Sequence, residues 1–152
     1  MRRALWTAGV FLAGLALGAG LGGVKAAPVR KHVNLPGRAV AAPFSDAVLV
    51  GDTLYLAGRI GFVPGTREVP ATAEEEARNV LDQLKAVLAE AGMAMDDLVS
   101  VQVFCSDVKL FDTWNKVYPT YFGKELPARA FIGSGPLLFG ARFEVQGIAV
   151  KR

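Results

Sequence analysis

The stretch TAEEEARNVLDQLKAVLAEAG, residues 72–92, limits the possible folds more than any other segment. Ala77, Val80, Leu81, Leu84, Val87, Leu88 and Ala91 recur at steps of three and four and form one apolar stripe on a helix. Thr72 and Glu75 have the spacing of a capping box, and Glu74, Glu75 and Glu76 oppose the positive end of the helix dipole. Gly92 stands where a helix stops. A stripe this wide needs an apolar surface to cover, and the flanking segments read as strands of a sheet.

SDAVLVGDTLYLAGRIG carries two β-branched, apolar runs around Gly51-Asp52, which predicts a hairpin. VPGTRE is a turn-rich loop. DLVSVQVFCSD alternates and predicts a strand with Val99, Val101, Val103 and Cys105 on one side. VKLFDTWNKVYPTYFG has helical spacing from Leu110 to Phe122, with an aromatic stripe that reads as core, and Pro119 should kink or end the regular helix. ARAFIGS and ARFEVQGIAV supply the last two strands. In the second, Phe143, Val145 and Gly147 share one face and Glu144, Gln146 and Ile148 the other. The order β-β-α-β-α-β-β predicts an α+β domain, a mixed sheet with two helices packed on one face.

The N-terminus has a different character. Ala4 to Val24 contains no charge and, at roughly 20 residues, is long enough to span a bilayer core as a helix. Arg2 and Arg3 precede it like the n-region of an export signal, and cleavage after Ala26 would put Val24 and Ala26 at the small-residue positions. Residues 1–26 are therefore expected to be a signal peptide or an uncut membrane anchor. Export to the periplasm, or tethering at the membrane, is the expected location. Lys25, Arg30 and Lys31 oppose that orientation and leave a cytoplasm-facing anchor as the alternative. Residues 27–41 read as a linker that adds an edge strand around His32 to Leu35, and residues 42–152 as the folded domain.

Charge and residue counts exclude several functions. The whole chain has 17 Lys and Arg against 14 Asp and Glu. Loss of Arg2, Arg3 and Lys25 with the leader leaves these balanced, so no basic field remains to attract nucleic acid. Cys105 is the only cysteine and His32 the only histidine, so an internal disulfide is impossible. A zinc site or a Ser-His-Asp triad has no support, and no metal or cofactor is expected. Cys105 reads as a buried core thiol.

The words APFSDAV, LYLAGRIG, EEEARNVLDQLKAVLAEAG, LVSVQVFCSDVKLFDTWNKVY and LPARAFIGSGPLLFGARFEVQGIAV, in this order, resemble the Rid (reactive intermediate deaminase, YjgF-type) family from about Ala42 to Val150. The resemblance implies a chorismate-mutase-like fold and a homotrimer with pockets between subunits. It implies an enamine/imine deaminase that hydrolyses 2-imino acids or enamines to 2-oxo acids and ammonia. The alternative is a non-catalytic trimeric module that binds a small carboxylate. Ribonuclease activity, also attached to the family, is disfavoured by the balanced charge and the lack of a histidine pair.

Arg129 matches the family arginine that grips the substrate carboxylate, and a planar guanidinium can do so with two hydrogen bonds. An ion pair with Glu144 or Glu125 is the structural alternative for it. Glu144 matches the glutamate that helps place the attacking water, and a partly buried carboxylate suits proton transfer. Gly58 matches the glycine whose backbone lines the pocket, and Asn115 a helix asparagine read as structural. Four positions depart from the family pattern. Phe44 replaces a tyrosine, Ala57 a serine, Arg59 a glutamine, and Phe131 a small residue or cysteine. The substrate-binding set expected here is Arg129, Gly58, Arg59, Phe44 and Phe131, with Arg129 and Glu144 catalytic. Three of the departures make the pocket more apolar.

Overall fold

The computed structural model describes residues 27–37, 42–123 and 125–152. The uncharged run and its expected role as signal or anchor lie outside the described residues. Among the described residues, no helix is long and apolar enough to cross a membrane.

Six strands form one sheet: β1 (Arg30–Val33), β2 (Ala47–Val50), β3 (Thr53–Ile60), β4 (Leu98–Cys105), β5 (Ala128–Gly133) and β6 (Phe143–Val150). Helix α1 (Ala73–Glu90) lies between β3 and β4, and α2 (Phe111–Val117) between β4 and β5. The strand order is β1-β2-β3-β6-β4-β5. All pairs are antiparallel except β4 with β5, which the α2 crossover makes parallel. This is the α+β fold expected, with both helices against one face. The edge strand expected around His32 to Leu35 forms slightly earlier, at Arg30–Val33, and becomes one end of the sheet.

Local chemistry sets the helix ends. The Thr72 hydroxyl accepts the Glu75 N–H at 3.2 Å. At the other end, the Met93 N–H reaches the Leu88 carbonyl at 2.8 Å and the Gly92 N–H the Ala89 carbonyl at 2.9 Å, with Gly92 at φ +70. That pair of bonds is a Schellman motif, which the sequence signalled through Gly92 alone. The predicted stripe is buried from Ala77 to Leu88. In α2, the regular helix stops at Val117, and Pro119 sits at the start of the following 3-10 turn, Tyr118–Tyr121. Trp114 is fully buried and packs on Phe143 of β6 with ring centroids 5.0 Å apart.

One expectation for β4 is overturned. Val101, Val103 and Cys105 are buried together, but Val99 is exposed. Leu98 pairs with Ala149 and Ser100 with Ile148, so the ladder is irregular at Val99, which leaves the core side.

Glu76 is the other departure from the plain reading of the helix. It is fully buried, unlike the two glutamates before it. Its Oε1 accepts the backbone N–H groups of Arg142 at 2.7 Å and Phe143 at 2.9 Å. Its Oε2 meets the Arg142 Nη1 at 2.9 Å. Arg142 extends the network to the carbonyls of Pro70 at 2.9 Å and Ala71 at 3.1 Å. The helix can sit this close because Gly61 has no side chain: a Cβ there would collide with the Glu76 carbonyl oxygen. Glu76→Ala leaves the Arg142 head without its carboxylate and two backbone N–H groups without a partner. It should lower unfolding free energy by about 3–5 kcal/mol, read as a shift in urea midpoint at unchanged slope.

Candidate functional site

The sheet ladder between β3 and β6 contains a bulge, and the bulge builds the site. Leu56 pairs with Gly147, but Arg59 pairs with Val145, so β3 carries one extra residue in between. The extra residue turns Arg59 toward the helices. There its Nη1 binds Asp46 Oδ1 at 2.9 Å and its Nε donates to Gln83 Oε1 at 3.3 Å. Both partners of the ion pair are largely buried. Asp46 also accepts the Leu35 N–H at 2.8 Å, so Arg59 helps to hold the chain entering β2. This cation stands apart from Gly58 and Glu144.

On the other face of the sheet, Gly58 lies against Glu144. A Cβ at Gly58 would collide with the Glu144 carboxylate, so only glycine leaves room for it. The pair opens into a cavity of about 700 Å³. Phe44, Ala57 and Ile60 form one wall. Phe62, Leu138 and Phe139 form another, and Arg67 is the second charged residue beside it. Phe62 and Phe139 meet edge to face with centroids 5.4 Å apart. Phe139 has φ +60, in the left-handed region that disfavours residues with a side chain.

Arg129 lies elsewhere. It pairs with the buried Val101 in the β4–β5 ladder, on the helix-facing side of the end strand. Its guanidinium carbon lies 4.8 Å from the Tyr118 ring centroid and 5.8 Å from that of Phe111. Among the described residues no carboxylate pairs with it, neither Glu144 nor Glu125. Phe131 follows on the same side and stacks edge-on against Phe111 at 5.1 Å. Glu144 pairs with Phe104 across β4 and faces the opposite side of the sheet. Within one chain, then, Gly58, Phe44 and Glu144 come together, Arg129 and Phe131 come together, and the two groups stay apart.

Phe62, Arg67, Leu138 and Phe139 line the cavity without having been singled out from the sequence. The local signal was weak: a turn-rich VPGTRE loop and an apolar LLFG run before the last strand. Among the described residues no cluster of His, Cys, Asp and Glu could hold a metal ion.

Residues 36–151 match the family model described as Endoribonuclease L-PSP. The chain belongs to this Rid (YjgF, L-PSP) family. The Rid chain is 38% identical over 114 residues to the mouse 2-iminobutanoate/2-iminopropanoate deaminase, covering 74% of this chain and 84% of that one. Its fold matches the crystal structure of the YjgF gene product from E. coli with a TM-score of 0.75 at 32% identity, over 80% of this chain and 99% of that one. Yeast Mmf1 matches with a TM-score of 0.74 at 30% identity, over 82% and 100%.

Two phenols of this Rid chain, Tyr118 beneath Arg129 and Tyr121 against α1, have a pH signature. Burial pushes the Tyr118 phenol up to about 12, against a smaller downward pull from Arg129. Burial, then the hydrogen bond to Asp82, pushes Tyr121 up to about 12. A raised phenol favours the folded state below the unfolded pKa near 10, and the benefit is lost as pH climbs through the folded value. Stability should therefore fall progressively between about pH 10 and 12. Phenolate absorbance in the native protein should show these two groups ionising only near the upper limit. A native titration with both phenols at pH 10 would contradict the packing described.

Proposed function

We infer that this chain is an imine deaminase, converting 2-imino acids or their enamine tautomers with water into 2-oxo acids and ammonia. The observation that carries the reading is the Glu144 carboxylate held against side-chain-free Gly58 in an apolar cavity. The relatives named as deaminases support it. The reaction needs no oxidant or reductant. Water oxygen adds to the imine carbon, and Glu144 takes a proton from that water as the bond forms. Nitrogen gains protons, the C–N bond breaks, ammonia leaves, and the second water proton departs as the carbonyl forms.

We propose further that the working form is a homotrimer, in which Arg129 of one copy completes the cavity of the next. Two features support this. Arg129 has no carboxylate partner among the described residues, and the cavity with Glu144 lies on the other side of the same sheet. The helices cover only one face, and Tyr55 and Ile132 remain exposed on the other. A small carboxylate ligand would bridge the copies through the Arg129 fork. The loss of hydroxyls at Phe44 and Ala57 favours the non-catalytic binder as the second reading. Binding of a 2-oxo acid without ammonia release would establish that one.

Arg129→Ala should lower kcat/KM for 2-iminobutanoate at least about tenfold, since a charged hydrogen bond contributes roughly 1.5–3 kcal/mol. Arg129→Lys keeps the charge and loses the fork, so it should also be impaired. Melting should change little, because no buried acid is stranded. Glu144→Gln should be inactive as well. Unfolding and refolding the two inactive variants together should restore up to about a quarter of the wild-type sites, because randomly mixed copies pair one intact residue of each kind. No recovery on mixing would overturn the shared site.

The uncharged run at residues 4–24 supports the proposal that the domain works outside the cytoplasm or at the membrane. Cell fractionation with N-terminal sequencing should find the chain at the membrane or processed near Ala26. A full-length chain free in the cytosol would overturn this.

A further inference from the structure

We propose that the cavity beside Glu144 selects 2-imino acids with large apolar side chains, aromatic ones above all, and that Phe62 and Phe139 are the specificity-determining walls. The proposal rests on the deaminase reading and names the substrate class for that same site. The reacting unit, a carboxylate next to a C=N bond, is small. The cavity has about 700 Å³ before the next copy adds its Arg129, room for what the substrate carries beyond that unit. Glu144 and Arg67 supply the charge around it, and most of the remaining wall is hydrocarbon.

Phe139 makes the case specific. It is the one residue other than glycine with positive φ among the described residues, and Gly140 follows at φ +70. A turn of that shape is easier for glycine at both positions. The phenyl ring adds little to the core, because 58% of Phe139 is exposed, as is 68% of Leu138. The ring instead stands edge to face against Phe62, at 78° between planes, beside the cavity. Such a pair offers a third ring both a face and an edge, the arrangements aromatic groups prefer. An unfavourable backbone thus presents an apolar surface toward the site rather than toward the interior.

The test uses the full chain. An amino-acid oxidase generates 2-imino acids in place from L-alanine, L-2-aminobutanoate, L-phenylalanine and L-glutamate, and the acceleration of ammonia release is read for each. The phenylalanine-derived imine should have a kcat/KM at least about tenfold above the alanine-derived one, since a single methylene in an apolar pocket already changes it by roughly 10- to 200-fold. Phe139→Gly suits the backbone, so its melting temperature should hold or rise while that preference collapses. Phe62→Ala, measured beside it, should reduce the same preference.

Equal or better turnover of the three- and four-carbon imines would overturn the proposal and leave the deaminase reading standing. Preference for the glutamate-derived imine would also overturn it, and would assign Arg67 to a distal carboxylate. An aromatic preference that survives both substitutions would place the selecting surface elsewhere and sink the role of this pair. No acceleration with any imine would remove the deaminase reading itself, and this inference with it.

Discussion

A fully buried carboxylate organises the domain. Glu76 belongs to the first turn of α1, yet its hydrogen bonds go to the start of β6. Desolvating a carboxylate costs several kcal/mol, and here two backbone N–H groups and the Arg142 guanidinium offset it. The same guanidinium holds the carbonyls of Pro70 and Ala71, which lead into the helix. Helix, loop and strand thus share one anchor. Because Glu144 is the second residue after Arg142, the anchor also fixes where the Glu144 carboxylate emerges from the sheet. Small errors in this register would turn Glu144 into the core and Phe143 toward the cavity.

The bulge in β3 does complementary work. A regular ladder would direct Arg59 across to Glu144 and pair the two charges. One extra residue sends Arg59 to Asp46 on the helix side and leaves Gly58 opposite the carboxylate. The site therefore keeps its acid free of the Arg59 cation. The two features act on neighbouring strands, and each has a glycine making room: Gly61 for the helix backbone and Gly58 for the Glu144 side chain.

Much of the fold was legible in the sequence because it rests on local periodicity and caps. The α1 stripe, the Gly92 stop, the hairpin at Gly51-Asp52 and the alternation of β6 were all readable. Val99 was misplaced because a bulge breaks the period of two without any local residue to announce it. Glu76 looked like its two neighbours because its partner, Arg142, is 66 residues away along the chain. Arg59 was taken for a pocket cation for the same kind of reason, since its direction depends on a bulge. Family words pointed to Gly58, Glu144 and Arg129. They could not show that one chain holds these on opposite sides of its sheet. Phe62 and Phe139 escaped notice because a strained turn brings them together, and strain leaves no periodic trace.

The sheet ends at β5, where Ala128, Ala130 and Ile132 lie exposed beside Arg129. Its outer backbone groups have no neighbouring strand among the described residues. Such an edge is adhesive toward other chains, and natural proteins protect edges of this kind by covering them. If the proposed trimer covers that edge, the time a newly made chain spends before assembly is a period of vulnerability. Its length falls as more copies accumulate nearby. Slow synthesis or dilution would then prolong exposure, while rapid local production would shorten it, so the yield of usable protein becomes a matter of how quickly copies meet.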